Sequence, residues 1–431
     1  MMALDSAPST RRLVLCLDGT GNKFSGDASD SNVVKIYQMM ERNIPGQFHY
    51  YQPGIGTYIK GQSKSRRFWP ALKSRVFKAV DQAIGISFED HVLAGYKFIM
   101  EHFIQGDHIY IFGFSRGAYT ARFLAEMINE IGLLSSGNGE MVQFAWDTFS
   151  NFQNSRGNVP QTGKDQDLKR YMEKFKLAFC RPNVGIHFLG LFDCVNSVGQ
   201  FEIPLHRKSY RCIATPAAKH IRHAVSIHER RLKFKPALFL FDDKDVDLKE
   251  VWFAGTHADV GGGWGFEPGQ KHLLSDTPLN WMIQEVLNLH GSTSTLSFKT
   301  LNLADVVRAA STFPGAEKPG TTEFEVRRRA HQPHDELKLG HGSRLPSVAF
   351  WWLIECLPIF TRLELENGKW IPRHCPPNYG ARRDIPLDAE IHPSVIEMVE
   401  TGILRGSSIP VKGGDNPRMP SVSSSNETSE K

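Results

Sequence analysis

The sequence lacks several features that would place it at once. Its six cysteines, at positions 16, 180, 194, 212, 356 and 375, include no CxxC pair. They read as reduced core or loop thiols and not as a disulfide framework. No run of about 18 apolar residues is present, so no transmembrane helix is expected. The most apolar window, residues 347–360 (SVAFWWLIECLPIF), is too short to span and is broken by Pro358. Charge is nearly balanced, with 51 Lys and Arg against 46 Asp and Glu, a net +5 in 431 residues. That surplus is too small to argue for a nucleic-acid partner. The opening MMALDSAPSTRR offers no apolar stretch of the kind a secretory signal needs. The expected location is cytoplasmic, with peripheral membrane contact left open. His334-Asp335-Glu336-Leu337 spells a retention signal, but it is internal and such signals are read only at a C-terminus.

What is present suits a globular chain: 41% hydrophobic and 23% charged residues, enough to bury a substantial core. Leu13 to Leu17 (LVLCL) reads as a strand buried on both faces, because it is continuously apolar and does not alternate. Residues 87–104 have helical periodicity and end at Gly106-Asp107; HIYIFGF then reads as a strand and RGAYTARFLAEMINEIGLL as a helix. VGIHFLGLFD and EVWFAG read as further strands. Strands alternating with helices imply a mostly parallel sheet with helices on both faces, an α/β fold whose site gathers at the carboxyl ends of the strands. The expected layout is a flexible N-terminus over 1–10 and one domain over 11–405. That domain carries insertions at about 55–85, 137–182 and 268–345, and a tail over 406–431, rich in Ser, Pro and Gly, is expected to be disordered.

The strongest chemical signal is Gly113-Phe114-Ser115-Arg116-Gly117. In G-x-S-x-G the serine sits on a strained strand-to-helix turn, and the flanking glycines leave room for neighbouring backbone. With Gly and Ser each at about 7%, the bare pattern arises in roughly 15% of chains this long. Its weight comes from context: an apolar strand before it, a helix after it, and no second copy. This is the nucleophile elbow of an α/β-hydrolase-like fold, with Ser115 as the nucleophile. The Arg116 N–H is then the first oxyanion donor, and the Gly19-Thr20 turn after the first strand is the candidate for the second. Asp18 is expected to orient that turn.

A serine alcohol needs a base, and the base needs an orienting acid, in the chain order Ser, acid, His. Asp193 ends the strand IHFLGLF, and His257 lies in the glycine-rich GTHADVGGG. Asp242, Asp243 and Asp259 compete for the role of acid; Asp259 could equally hold the histidine loop. LDGT resembles the phosphatase motif DxDGT, but Cys16 stands where the nucleophilic aspartate would be, and no phosphate-binding G-x-x-x-x-G-K is present. No His, Cys, Asp or Glu set has metal spacing, so neither metal nor cofactor is expected. The Trp351-Trp352 segment reads as a buried core helix, with an interfacial helix as the rival.

LVLCLDGTGN, YYQPGIGT, GDHIYIFGFSRGAYTAR, GLFDCVNSVG, HAVSIHERR and VWFAGTHADVGGG occur in this order from Leu13 to Gly263. Together they resemble an α/β-hydrolase family, long described as a domain of unknown function. It includes the catalytic domain of type VI secretion phospholipase effectors and many fungal proteins. The resemblance implies a Ser115–Asp193–His257 triad hydrolysing carboxylic esters, with phospholipids the substrate class of the bacterial effectors. His228 departs from the acid usual before Glu229-Arg230-Arg231. Two functions are thus weighed: a serine hydrolase of lipid or other acyl esters working through an acyl-enzyme, and a catalytically silent member acting as a binding or scaffold module.

Overall fold

The computed structural model describes residues 10–54, 73–155, 163–195, 217–239, 246–267, 270, 272–289, 296–299, 332–341, 343–357, 362–366, 369–373, 375–386 and 388–404. In chain order the elements that matter are β1 (Arg12–Leu17), α1 (Asn32–Met39), β2 (Gln47–Gln52), α2 (Lys73–His102), β3 (His108–Phe114) and α3 (Arg116–Glu130). A short β4 (Leu133–Leu134) precedes α4 (Val142–Ser155), α5 (Gly163–Phe179) and β5 (Cys180–Arg181). Then come β6 (Ile186–Phe192), β7 (Ala218–Ser226), β8 (Asp247–Phe253), α6 (His257–Gly261) and α7 (Asp276–Leu287). The described chain ends with α8 (Leu345–Glu355), β9 (Arg362–Glu366), β10 (Lys369–Arg373), β11 (Glu390–Ile391) and α9 (Pro393–Glu400).

Seven strands form one sheet in the order β11-β8-β7-β6-β3-β1-β2, with every pairing parallel. The protein is therefore an α/β fold with helices on both faces, as its alternating pattern implies. Period two explains the unbroken apolar run of β1. Leu13, Leu15 and Leu17 enter the core beneath α2 and α3, while Val14 and Cys16 enter the one beneath α1 and α7. Burying each such side chain stabilises the fold by about 1.5–3 kcal/mol. The chain leaves β1 toward β2 on one side and returns to β3 on the other. The strand order therefore reverses at β1 and β3, the place at which open α/β sheets gather their sites.

The stretches expected as insertions contain helices among their described residues. Helix α2 begins at Lys73, so residues 73–85 of the stretch expected as an insertion form the start of one long helix. The stretch 137–182 builds α4 and α5, whose Val142, Trp146, Phe149, Met172 and Phe175 are buried in the main core. Helix α7, within 268–345, buries Leu279, Met282, Ile283 and Val286 on the other face. Helix α8 buries Val348 and Glu355 but leaves Leu345, Phe350 and Leu353 exposed, so it lies on the surface and is not a core helix. A continuously apolar run hides which side faces water. Residues 1–9 and 405–431, and the rival acids Asp242 and Asp243, lie outside the described residues.

Candidate active site

Ser115 follows β3 and caps α3, with φ 58° and ψ −125°, a conformation that costs on the order of 1–3 kcal/mol in a residue with a side chain. The surroundings enforce it. The Ser115 N–H donates to Phe192 O of β6 at 3.0 Å, and the Tyr119 N–H donates to Ser115 O at 3.2 Å. A Cβ on Gly113 would stand 2.5 Å from the Ala118 Cα, and one on Gly117 would stand 2.2 Å from Leu17 O. Both contacts are to backbone, so α3 can approach β1 and β3 this closely only with glycine at these positions.

His257 is reached from β8 through a turn that closes into α6, not through an open loop. Thr256 caps the helix, and the Asp259 carboxylate accepts from the Thr256 N–H at 2.9 Å and from its hydroxyl at 3.0 Å. Asp259 also accepts from His334 Nδ1 at 2.6 Å. Its hydrogen bonds brace the turn that carries the histidine.

Three of the residues singled out in sequence come together. Ser115 Oγ and His257 Nε2 are 2.7 Å apart, and His257 Nδ1 is 2.5 Å from Asp193 Oδ2. Asp193 lies at the carboxyl end of β6 with φ 40° and is wholly buried. The Arg383 guanidinium and the His257 hydrogen bond hold its carboxyl well below the usual range against the opposing effect of burial. An ionised carboxylate only accepts, so Nδ1 carries the proton and Nε2 is free to accept from the serine hydroxyl. Burial pulls the His257 pKa down, and the Asp193 contact pulls against it. The rings of Phe114 and Phe234 flank the imidazole, each at 4.7 Å between centroids.

The β1 turn lies against the serine: a Cβ on Gly19 would be 3.0 Å from the Ser115 Cβ. The Gly19 N–H, however, donates to Asp18 Oδ1 at 2.7 Å. Asp18 further accepts from the Tyr51 hydroxyl at 2.9 Å, and so braces the turn. The Thr20 hydroxyl is buried and has no hydrogen-bond partner among the described residues.

Five residues with no role assigned from the sequence complete the surroundings. Arg383 grips Asp193, as described below. The Glu229 carboxylate accepts from the His257 N–H at 3.2 Å and pairs with Arg231 at 2.8 Å. Arg231 also pairs with Glu336 at 2.8 Å and lies 3.7 Å over the Phe234 ring. The Glu229 carboxyl is held low by Arg231, whereas burial and the nearby Glu229 push Glu336 up. His228 has a lowered pKa through burial, and its Nδ1 accepts from the Gly255 N–H at 2.9 Å. Among the described residues no group of three or more His, Cys, Asp or Glu could hold a metal ion, and no helix is long and apolar enough to cross a membrane.

Residues 11–285 match the catalytic domain of the Tle1-like phospholipase effectors of the type VI secretion system. The chain belongs to that family. As a Tle1-like chain it is also similar to an uncharacterized protein of Saccharomyces cerevisiae, at 27% identity over 90% of this chain and 78% of the relative. Two solved structures are similar as well. One is an uncharacterized protein from Pseudomonas aeruginosa, with 20% identity, a TM-score of 0.38, and coverage of 74% of this chain and 52% of that one. The other is the Tle1 effector bound to the VgrG spike of the type VI secretion system, with 18% identity, a TM-score of 0.33, and coverage of 61% and 53%. The Tle1-like chain thus spans about half the length of these solved relatives.

Proposed function

We propose that the chain is a serine hydrolase that cleaves acyl esters of anionic lipids through a Ser115–His257–Asp193 triad. The observation that carries this reading is the continuous hydrogen-bonded line from Ser115 Oγ through both imidazole nitrogens to Asp193. His257 Nε2 takes the hydroxyl proton as Oγ attacks the ester carbonyl carbon, and Asp193 stabilises the imidazolium that forms. The Arg116 N–H at the start of α3 and Thr20 hold the oxyanion. With the Gly19 amide committed to Asp18, Thr20 becomes the donor of choice in that turn. The imidazolium then protonates the departing alkoxide. Water, deprotonated by His257, attacks the acyl-enzyme and releases the acid and free Ser115.

A lipid substrate is supported by the family of phospholipase effectors to which the chain belongs. An anionic head group is supported by Arg116. Its side chain is partly buried, burial alone pulls its pKa down to about 10, and no carboxylate pairs with it among the described residues. An arginine beside the nucleophile that has lost hydration and has no counter-ion among the described residues suits a substrate that brings the anion, such as a phosphodiester.

The test is labelling of the purified protein by a fluorophosphonate, followed by fatty-acid release from phosphatidylglycerol vesicles. Labelling and release that vanish in Ser115→Ala are expected. A folded wild type that takes up no probe would return the chain to the binding-module alternative.

A further inference from the structure

Arg383 lies 190 residues beyond Asp193 and outside the residues that match the family, 11–285. Its side chain is nonetheless buried against the acid of the proposed triad, at 1% exposure against 0% for Asp193. Nη1 donates to Asp193 Oδ1 at 2.6 Å, to Ser226 Oγ at 2.7 Å and to Ser226 O at 2.9 Å. Nη2 donates to Asp193 Oδ2 at 2.9 Å and to Phe234 O. The two guanidinium nitrogens meet the two carboxylate oxygens as a planar fork, a geometry lysine does not reproduce. The Ser226 N–H donates to Oδ1 at 2.8 Å, so the carboxylate is held on every side while Oδ2 still faces His257.

We propose that Arg383 is a positioning residue of this site. It fixes the Asp193 carboxylate and balances its charge, so that His257 remains a neutral base at lower pH than it would beside an unbalanced acid. The inference rests on the triad reading given above. It follows from how the charges around His257 are matched. Asp193, at the end of β6, is balanced by Arg383. Glu229, after β7, is balanced by Arg231, which also carries Glu336. Asp259, on the histidine's own helix, is paired with His334. Asp18, beyond Ser115, rests on the Gly19 amide and the Tyr51 hydroxyl. Removing Arg383 leaves Asp193 as the one unbalanced acid in contact with the imidazole. An opposite charge at hydrogen-bonding distance then raises the imidazolium pKa, and the enzyme loses activity on the acid side.

The test uses the full chain and needs no knowledge of the natural substrate. The second-order rate of Ser115 labelling by a fluorophosphonate is followed from acid to neutral pH for wild type, Arg383→Met and Arg383→Lys. In Arg383→Met the acid limb is expected to move up by about one pH unit or more, with slower labelling on the plateau. In Arg383→Lys, which keeps the charge but not the fork, the limb should stay near wild type while the plateau falls. If Arg383 serves only to brace the fold, both variants lose folded protein, seen as a smaller labelled fraction, but each labels on the wild-type pH profile. That result overturns the proposal. Wild type that does not label at Ser115 removes the triad reading, and the positioning role with it. Labelled wild type with an unshifted limb in Arg383→Met removes the positioning role alone.

Discussion

His228 and Gly255 exchange two hydrogen bonds: the His228 N–H donates to Gly255 O at 2.9 Å, and the Gly255 N–H donates to His228 Nδ1 at 2.9 Å. The pair ties the segment after β7 to the turn that delivers His257, and the second of its bonds needs a neutral ring whose Nδ1 can accept. Burial lowers the His228 pKa to about 4, and likewise that of His392 to about 4.

A pH dependence of stability follows. Histidines lowered on folding contribute stability that is complete above their unfolded pKa, about 6.5. It is lost as pH falls through that value toward the folded value. The melting temperature should therefore drop on acidification across this window, by roughly 1–3 kcal/mol of stability for each such histidine. In His228→Gln, which cannot protonate, the fall should be shallower. A wild-type melting curve that is flat across the window would contradict this.

Thr20→Val removes the unpartnered hydroxyl with little change of shape. If that hydroxyl joins the oxyanion site, kcat should drop about tenfold to a hundredfold with KM nearly unchanged, the pattern of a contact made only in the transition state. Unchanged kcat would leave only the Thr20 backbone N–H as a donor.

For Arg116→Gln the split between substrates is decisive. The backbone donor remains, so hydrolysis of a short neutral ester should persist. KM for phosphatidylglycerol should rise about tenfold, the scale of one charge-assisted hydrogen bond. An equal loss on both substrates would assign the side chain to the fold and not to the head group.

Gly117→Ala places a methyl group 2.2 Å from Leu17 O, a backbone atom at the carboxyl end of β1. Relief requires α3 to shift away from β1, at a cost of about 1–3 kcal/mol or more. Denaturant titration should find a marked loss of stability, and whatever protein folds should label slowly because the serine has moved. A variant as stable as wild type would mean that the helix packs with slack.

Much of this arrangement was legible in the chain. β1, β3, β6 and β8 reveal themselves as apolar runs, each ending where a serine, acid, histidine or glycine turn begins, and parallel topology brings such ends together. The site's supports were not legible. Nothing around Arg383 marks it, because the acid it grips is distant in sequence and arginine is ordinarily a surface residue. The commitment of the Gly19 amide to Asp18 depends on a side-chain rotamer, which no pattern encodes. The outward stripe of α8 was hidden by its uniform apolarity, and Asp259 resembled a triad acid because capping and catalysis favour the same residue next to a histidine.

The chain order of the site constrains how the protein acquires activity. Asp193 is made early and its counter-ion late, separated by 190 residues. Until the segment bearing Arg383 has been synthesised and docked, a carboxylate destined for full burial has no cation to accompany it, and desolvating it alone is costly. A nascent chain that has already formed the first strands of the sheet should therefore leave this corner hydrated and loose. The contact between Asp193 and His257 would then be completed only after Arg383 has docked, late in the making of the chain.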